Sequence, residues 1–117
     1  MKNQERNAIL ELTFQFALKI IEFSELLERK RKFVIARQIL KSGSSIGANV
    51  NEAQSPESKA DFIHKMKIAA KEAEETTYWL RLCKFAATYP DPGDLFSELV
   101  SIQKLLSKII AVSKRNL

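Results

Sequence analysis

Apolar residues recur three and four positions apart along most of the chain, which is the period of an amphipathic helix. The stretches 1–42, 57–89 and 94–117 contain neither glycine nor proline and are rich in Leu, Ile, Ala, Glu and Lys. Such stretches predict helices. No segment of useful length alternates apolar and polar residues as a strand does, so the pattern predicts an all-α protein.

A turn is needed inside the first stretch, because residues 1–42 exceed the length of an ordinary globular helix. The only gap in its apolar pattern runs from Glu28 to Lys32, and we place the turn there. Prolines mark two further breaks. The chain is predicted to form one domain, 1–117, with helices over about 5–28, 33–54, 58–88 and 92–114.

Helix-capping residues stand at both later breaks. Before the third helix, either Ser55 is the cap or Ser58 is the cap and pairs with Asp61 as a capping box. Before the fourth helix, we expect Asp91 to cap and Pro92 to take the first helical position.

Each predicted helix carries an apolar stripe of the kind that forms the seam of a bundle. The predicted core consists of Ile9, Phe16, Ile20, Phe23 and Leu27 in the first helix, Ile39, Gly43, Ile46, Gly47, Val50 and Ala53 in the second, Phe62, Met66, Ala69, Ala73, Thr76, Leu80, Cys83 and Ala87 in the third, and Leu95, Leu99, Ile102, Leu106 and Ile109 in the fourth.

The first helix is apolar over more than half of its circumference, because Leu10, Phe14, Ala17, Leu18 and Ile21 lie outside its stripe. Such a helix needs more than one neighbouring surface. A second subunit is the simplest cover in a four-helix protein, and we expect self-association. An obliquely packed helix buried by its own bundle is the alternative.

Gly43 and Gly47 lie four residues apart on one face of the second helix. Each costs about 1 kcal/mol relative to alanine within a helix, but a missing side chain lets another backbone approach closely. We therefore predict a close helix contact at these two residues. The alternative is that residues 42–45 form a loop that divides the helix.

Composition narrows the class of protein. A formal charge of +5 favours anionic partners weakly, and one cysteine excludes an internal disulfide framework. No apolar run approaches the roughly 18 residues of a membrane span, and the N-terminus lacks the features of a signal peptide. We therefore expect no membrane association and a cytoplasmic location.

The positive charge is concentrated in two clusters. Residues 29–41 hold six cations and no acid, and residues 104–117 hold four more cations. Such clusters attract a phosphate backbone through counterion release, although a solvated turn that complements the helix dipole is the alternative. No aromatic residue interrupts 29–32, so base stacking is not indicated there. The predicted nucleic-acid-binding residues are Arg29, Lys30, Arg31, Lys32, Arg37, Lys41, Lys104, Lys108, Lys114 and Arg115.

A second polar set is a candidate structural network. Asn49 and Glu52 share one helical face, and buried acids and amides are retained only when they are paired. We predict a network between helices that fixes their register, with exposed polar faces as the alternative. Its predicted members are Ser45, Asn49, Glu52, Glu72, Glu75 and Arg81.

Residues for catalysis are scarce. His64 is the only histidine, and it follows Asp61 by three positions, so the Glu-x-x-His pair of di-iron bundles is absent. Neither a nucleophile–histidine arrangement nor a phosphate-binding glycine motif is present. We expect Cys83 to be an inert core thiol. Tyr78 with Trp79 is expected in the core or at an interface, and a binding platform is the alternative. We expect no enzymatic activity, no metal and no cofactor.

Two blocks carry a family resemblance, Ser45-Ile46-x-x-Asn49-x-x-Glu52 and Ser58-x-x-Asp61-Phe62. With them, nearly the whole chain resembles the bacterial four helix bundle protein family, encoded in intervening sequences of 23S rRNA genes and sometimes labelled ribosomal proteins. The accessory variability determinant of diversity-generating retroelements is similar to this family.

The resemblance implies an up-down-up-down bundle assembled into a ring-like homopentamer without enzymatic activity. Its implied partners are RNA, DNA, and a reverse transcriptase or another nucleic-acid enzyme. Our leading hypothesis is a non-enzymatic accessory protein that binds nucleic acid or such an enzyme through basic surfaces. The alternative is a structural or protein-interaction oligomer with no nucleic-acid role.

Overall fold

The structure, a computed structural model, describes residues 1–116. It contains four helices, α1 (Asn3–Arg29), α2 (Phe33–Glu52), α3 (Lys59–Phe85) and α4 (Leu95–Arg115), and no strand within the described range. The all-α prediction is confirmed. α2 is continuous, so residues 42–45 are helical and do not form a loop.

The four helices form an up-down-up-down bundle in which each helix packs against its two neighbours and the diagonal pairs stay apart. The α1–α2 turn lies beside the α3–α4 loop, since the Lys32 ammonium donates a hydrogen bond to Thr88 Oγ1 over 3.1 Å. At the opposite end, the Lys59 ammonium donates to the Asn116 carbonyl over 2.6 Å. The molecule measures 47 × 22 × 19 Å. We call the end that holds the α1–α2 turn and the loop of residues 86–94 the basic end.

The predicted apolar stripes form the core, with two corrections in α3. Ile63 is buried where Phe62 was expected, and Phe62 is half-buried at the margin of the core. Both residues lie within one turn of Met66, so the apolar spacing did not distinguish them. Ala87 is exposed because α3 ends at Phe85 and the chain becomes extended at residue 86.

Helix α3 begins at Ser58, which is one of the two predicted caps. The Ser58 hydroxyl accepts a hydrogen bond from the Asp61 amide over 3.0 Å. The Asp61 carboxylate in turn accepts from the Glu57 amide, also over 3.0 Å, one residue earlier than in a standard capping box. Ser55 therefore does not start the helix.

The predicted cap of α4 is wrong. The Asp91 carboxylate accepts a hydrogen bond from the Gly93 amide over 2.7 Å, closing a local turn instead of capping the helix. Gly93 has a φ of 58°, a left-handed conformation that interrupts any helical path from Pro92. The helix consequently begins at Leu95, with Asp94 as the cap residue.

Both glycines of α2 face α1, but the close contact predicted for the pair is present at Gly43 and not at Gly47. A Cβ atom placed on Gly43 would lie 2.9 Å from both Cγ1 and Cγ2 of Ile20. A Cβ atom placed on Gly47 would lie 3.4 Å from the nearest Thr13 atoms, which is an ordinary contact. The two sites therefore differ: Gly43 is required by the spacing of α1 and α2, and Gly47 is tolerant.

Substituting each glycine by alanine tests this difference. Gly43→Ala should lower the free energy of unfolding by about 1–3 kcal/mol, because the buried Ile20 has no room to move. Gly47→Ala should be neutral or stabilising by up to about 1 kcal/mol, because alanine favours the helix. Urea unfolding followed by circular dichroism, at equal protein concentrations, measures both. Equal effects of the two substitutions would contradict the close contact at Gly43.

Candidate nucleic-acid interface

The α1–α2 turn is a Schellman motif with an arginine at the position that glycine usually takes. The Lys32 amide donates to the Leu27 carbonyl and the Arg31 amide donates to the Glu28 carbonyl, both over 2.8 Å. Arg31 has a φ of 63°, in the left-handed region. A residue with a Cβ atom pays about 1 kcal/mol or more for this conformation, so the backbone by itself favours glycine at this position.

The cations of the turn differ in their surroundings. Arg29, Lys30 and Arg31 are exposed, and none forms an ion pair with another residue of the described range. Lys32 is half-buried: besides its bond to Thr88, its ammonium lies 4.8 Å from the centroid of the Tyr89 ring. Lys32 thus ties the turn to the α3–α4 loop, a structural role that the charge pattern did not reveal.

The rest of the first cluster continues along α2. Arg37 and Lys41 are exposed on successive turns after the basic end. Lys41 lies close enough to Glu72 of α3 that its positive charge opposes the rise in the pKa of that carboxyl, which burial and Glu75 cause. The first cluster therefore extends from the basic end along the outer side of the bundle.

The second cluster lies along α4, toward the opposite end. Its members, Lys104, Lys108, Lys114 and Arg115, are all exposed. Lys108 forms an ion pair with Glu5 Oε2 over 3.0 Å, which partly neutralises the cluster. The two clusters lie on α4 and on α2 with its preceding turn, and these two helices do not pack against each other, so they are distinct surfaces of one protomer.

Two lysines of α3 extend this second surface. The ammonium of Lys114 beside Lys67 lowers the pKa of Lys67, and the charge of Lys71 lowers it further. The sequence analysis did not include Lys67 in a cluster, because it lies far from α4 along the chain. Only antiparallel pairing of α3 with α4 brings these cations together.

A groove of about 530 Å³ opens beside the basic end, between the start of α2 and the end of α3. We call it the aromatic groove. Its lining residues are Ile35, Tyr78, Arg81, Leu82, Phe85, Ala86 and Tyr89.

A second groove, of about 460 Å³, separates α1 from the start of α4. It contains both signs of charge, from Lys19, Glu22, Arg29 and Asp94. Lys19 is engaged by Glu98 of α4 in an ion pair. Mixed charge makes this groove a poorer site for a polyanion than the surfaces above.

Comparison with known proteins identifies the family. The profile of the family described as 23S rRNA-intervening sequence protein matches residues 5–109. The chain belongs to this family. A crystal structure at 1.70 Å of a protein of unknown function from the S23 ribosomal protein family of Bacteroides thetaiotaomicron VPI-5482 is 39% identical, with a TM-score of 0.86. The match covers 92% of this chain and 98% of that one. No curated protein matches.

In this 23S rRNA-intervening sequence protein, the polar set predicted to form a network bonds within its own helices. Asn49 donates to the Ser45 carbonyl over 2.8 Å, and the Ser45 hydroxyl donates to the Lys41 carbonyl over 2.6 Å. The Trp79 indole donates to the Glu75 carboxylate over 3.1 Å, while Glu52 and Arg81 are exposed. One protomer therefore does not bring these side chains together across helices.

A buried hydroxyl pair joins α2 and α3 instead. The hydroxyls of Thr76 and Ser42 are hydrogen-bonded over 2.9 Å, and both side chains are fully buried. The Thr76 hydroxyl donates its proton to the Glu72 carbonyl in its own helix over 2.7 Å, so it accepts from Ser42. The pair provides a polar contact between helices that can specify their register, which the sequence analysis had assigned to acids and amides.

Glu72 is the acid of the predicted network with a perturbed environment. Burial raises the pKa of its carboxyl, the negative charge of Glu75 raises it further, and the Lys41 ammonium opposes both. Because its folded-state pKa is raised, ionised Glu72 opposes folding above that pKa, and this cost disappears as the pH falls. The negative charge of Glu72 therefore does not stabilise the folded monomer.

Groups suited to metal binding or nucleophilic catalysis are scarce among residues 1–116. Within them, no three or more His, Cys, Asp or Glu residues are grouped so as to hold a metal ion, and no helix is long and apolar enough to cross a membrane. Burial raises the pKa of the Cys83 thiol to about 11, so it is protonated at neutral pH and a poor nucleophile. His64 is exposed.

Arg31 provides a direct test of the turn. Arg31→Gly should raise the free energy of unfolding by about 1 kcal/mol, because glycine adopts the left-handed conformation without a steric penalty. Arg31→Lys retains the Cβ atom and should leave stability unchanged. Chemical denaturation of both variants measures the difference. A loss of stability in Arg31→Gly would show that the arginine side chain itself supports the fold.

Proposed function

We propose that this protein is a non-enzymatic accessory protein that binds nucleic acid through its basic end. The observation that carries the proposal is Arg31, which occupies a left-handed position where glycine would be more stable and which presents an exposed guanidinium between Lys30 and Lys32. Backbone strain of this kind is concentrated at functional sites. A turn whose charges only kept the protein soluble would not need this strained conformation.

The mechanism is charge complementarity. Exposed Arg29, Lys30 and Arg31 can each approach a phosphate and release its counterions, while Lys32 holds the turn against the α3–α4 loop. Phosphate contacts of this type position a protein without reading base sequence. Arg37 and Lys41 lengthen the surface along α2.

Neutralising the turn should weaken binding in a salt-dependent way. The variant Arg29→Gln, Lys30→Gln, Arg31→Gln leaves Lys32 in place so that the loop contact survives. Its affinity for RNA and DNA, measured by fluorescence anisotropy across salt concentrations, should fall more than tenfold at low salt. The slope of log K against log salt should decrease by about 2–3, because roughly one phosphate contact is lost per cation.

The matched control removes three cations from the second cluster, as Lys104→Gln, Lys114→Gln and Arg115→Gln. It changes net charge equally and should affect binding less. Unchanged affinity and slope in the turn variant, or a larger loss in the control, would contradict placement of the site at the basic end. Absence of binding by the unmodified protein would favour the alternative of an oligomer with no nucleic-acid role.

The protein is also proposed to act as a homo-oligomer. Outside its core face, α1 leaves Phe14 56% exposed, Leu18 42% and Ile21 40%, with Leu10 and Ala17 half-buried beside them. We call these five residues the outer stripe of α1. A contiguous apolar surface on a small protein favours a protein contact. A ring would repeat the basic end once per subunit, and the pentamer and the enzyme partner stay predictions.

Light scattering tests self-association. Leu18→Glu places a charge in the outer stripe and should convert the oligomer into monomers with unchanged helix content. Val100→Glu is the matched control, because Val100 is 46% exposed on α4, away from the stripe. Monomers in the unmodified protein, or equal dissociation by both variants, would be inconsistent with an interface on α1.

A further inference from the structure

We propose that the aromatic groove binds single-stranded nucleic acid by stacking bases on its exposed rings. The inference rests on the proposed function and adds the class of ligand, single strand over duplex. The stacking site lies on the last turns of α3, next to the cations of the basic end.

The rings of the groove are exposed to an unusual degree. Phe85 is 76% exposed and Tyr78 is 55% exposed, and with Leu82 they follow helical spacing on one face of α3. Rings this exposed bury little of their apolar surface within the protomer. Phe85 follows Tyr78 by seven residues, which corresponds to about 10 Å along the helix axis. The two rings can therefore take different bases of one strand.

The charge around the groove fits a polyanion. Arg81 is the one charged residue among those that line the groove, and none of these lining residues is acidic. Tyr89, at one edge, lies 4.8 Å from the ammonium of Lys32, which belongs to the basic turn. The proposed stacking surface and the proposed phosphate-binding surface are therefore continuous. The volume of the aromatic groove, about 530 Å³, lies within the range of about 300–1,000 Å³ seen for ligand sites.

Exposed aromatic rings beside a basic surface favour single-stranded over double-stranded nucleic acid. Proteins that bind single strands without sequence preference pair a basic surface with aromatic side chains on which bases stack. In a duplex, the faces of the bases are already stacked on each other and the rings would find no partner. Residues 29–32 contain no aromatic residue, so stacking was not expected within the turn itself; the fold brings Tyr89 of the α3–α4 loop beside it.

The experiment compares two oligomers of about ten nucleotides, an oligothymidylate and a chain of abasic sites with the same phosphates. In fluorescence anisotropy, the unmodified protein should bind the oligothymidylate at least about fivefold more tightly, the contribution of one stacked base. Phe85→Leu keeps an apolar side chain but removes the ring and should abolish most of this preference. Val100→Ala, which removes exposed apolar surface on α4 outside both the groove and the outer stripe, should retain it.

The outcomes separate the two claims. Salt-dependent binding of both oligomers with equal affinity would leave the proposed function standing and overturn the stacking site. No binding of either oligomer would overturn both. If Phe85→Leu changes the subunit number in light scattering and leaves the preference intact, the groove is a protein contact and the inference is wrong.

Discussion

The close approach of α1 and α2 at Gly43 is the constraint on which the rest of the bundle depends. No side chain separates the α2 backbone from Ile20, so the two helices lie nearer each other than larger residues would permit. This approach orients α2 so that Ser42 faces Thr76 of α3. The chain reverses from α1 to α2 within Lys30–Lys32, where a Schellman motif places Arg31 in a left-handed conformation.

Function is proposed where this short reversal meets the α3–α4 loop. Lys32 contacts Thr88 and Tyr89 and so connects the two segments. The other cations of the turn therefore lie on a segment that these contacts hold in place. Arg29, Lys30 and Arg31 are left exposed at the end of the bundle. Tyr89 also lines the aromatic groove, so the surface proposed for bases adjoins the one proposed for phosphates.

The outer stripe of α1 is the surface through which we propose self-association. Packing of α1 against α2 and α4 buries one face of the helix and leaves Phe14, Leu18 and Ile21 exposed. In a ring, this contact would determine how the basic ends are arranged relative to one another, and a polyanion would meet several of them together.

Much of the fold was predictable from the sequence because helical spacing and glycine or proline positions are local signals. The seam of α4 and the stripe of α1 are buried as predicted, and α2 packs through its glycines. Predictions were wrong where two neighbouring residues, or two local conformations, fit the same sequence pattern. Ile63 and Phe62 both satisfy the spacing, and Asp91 can close a turn as easily as cap a helix.

The sequence by itself determined the helices, their buried faces, the family and the two runs of positive charge. Only the tertiary structure decided which cations contact other side chains. Lys108 forms its ion pair with Glu5, and Lys32 lies over the Tyr89 ring, only once the helices have packed together. The same holds for the approach of Lys67 to Lys114 and for the aromatic groove. These contacts join residues far apart along the chain, and no local pattern encodes the distance between side chains on different helices.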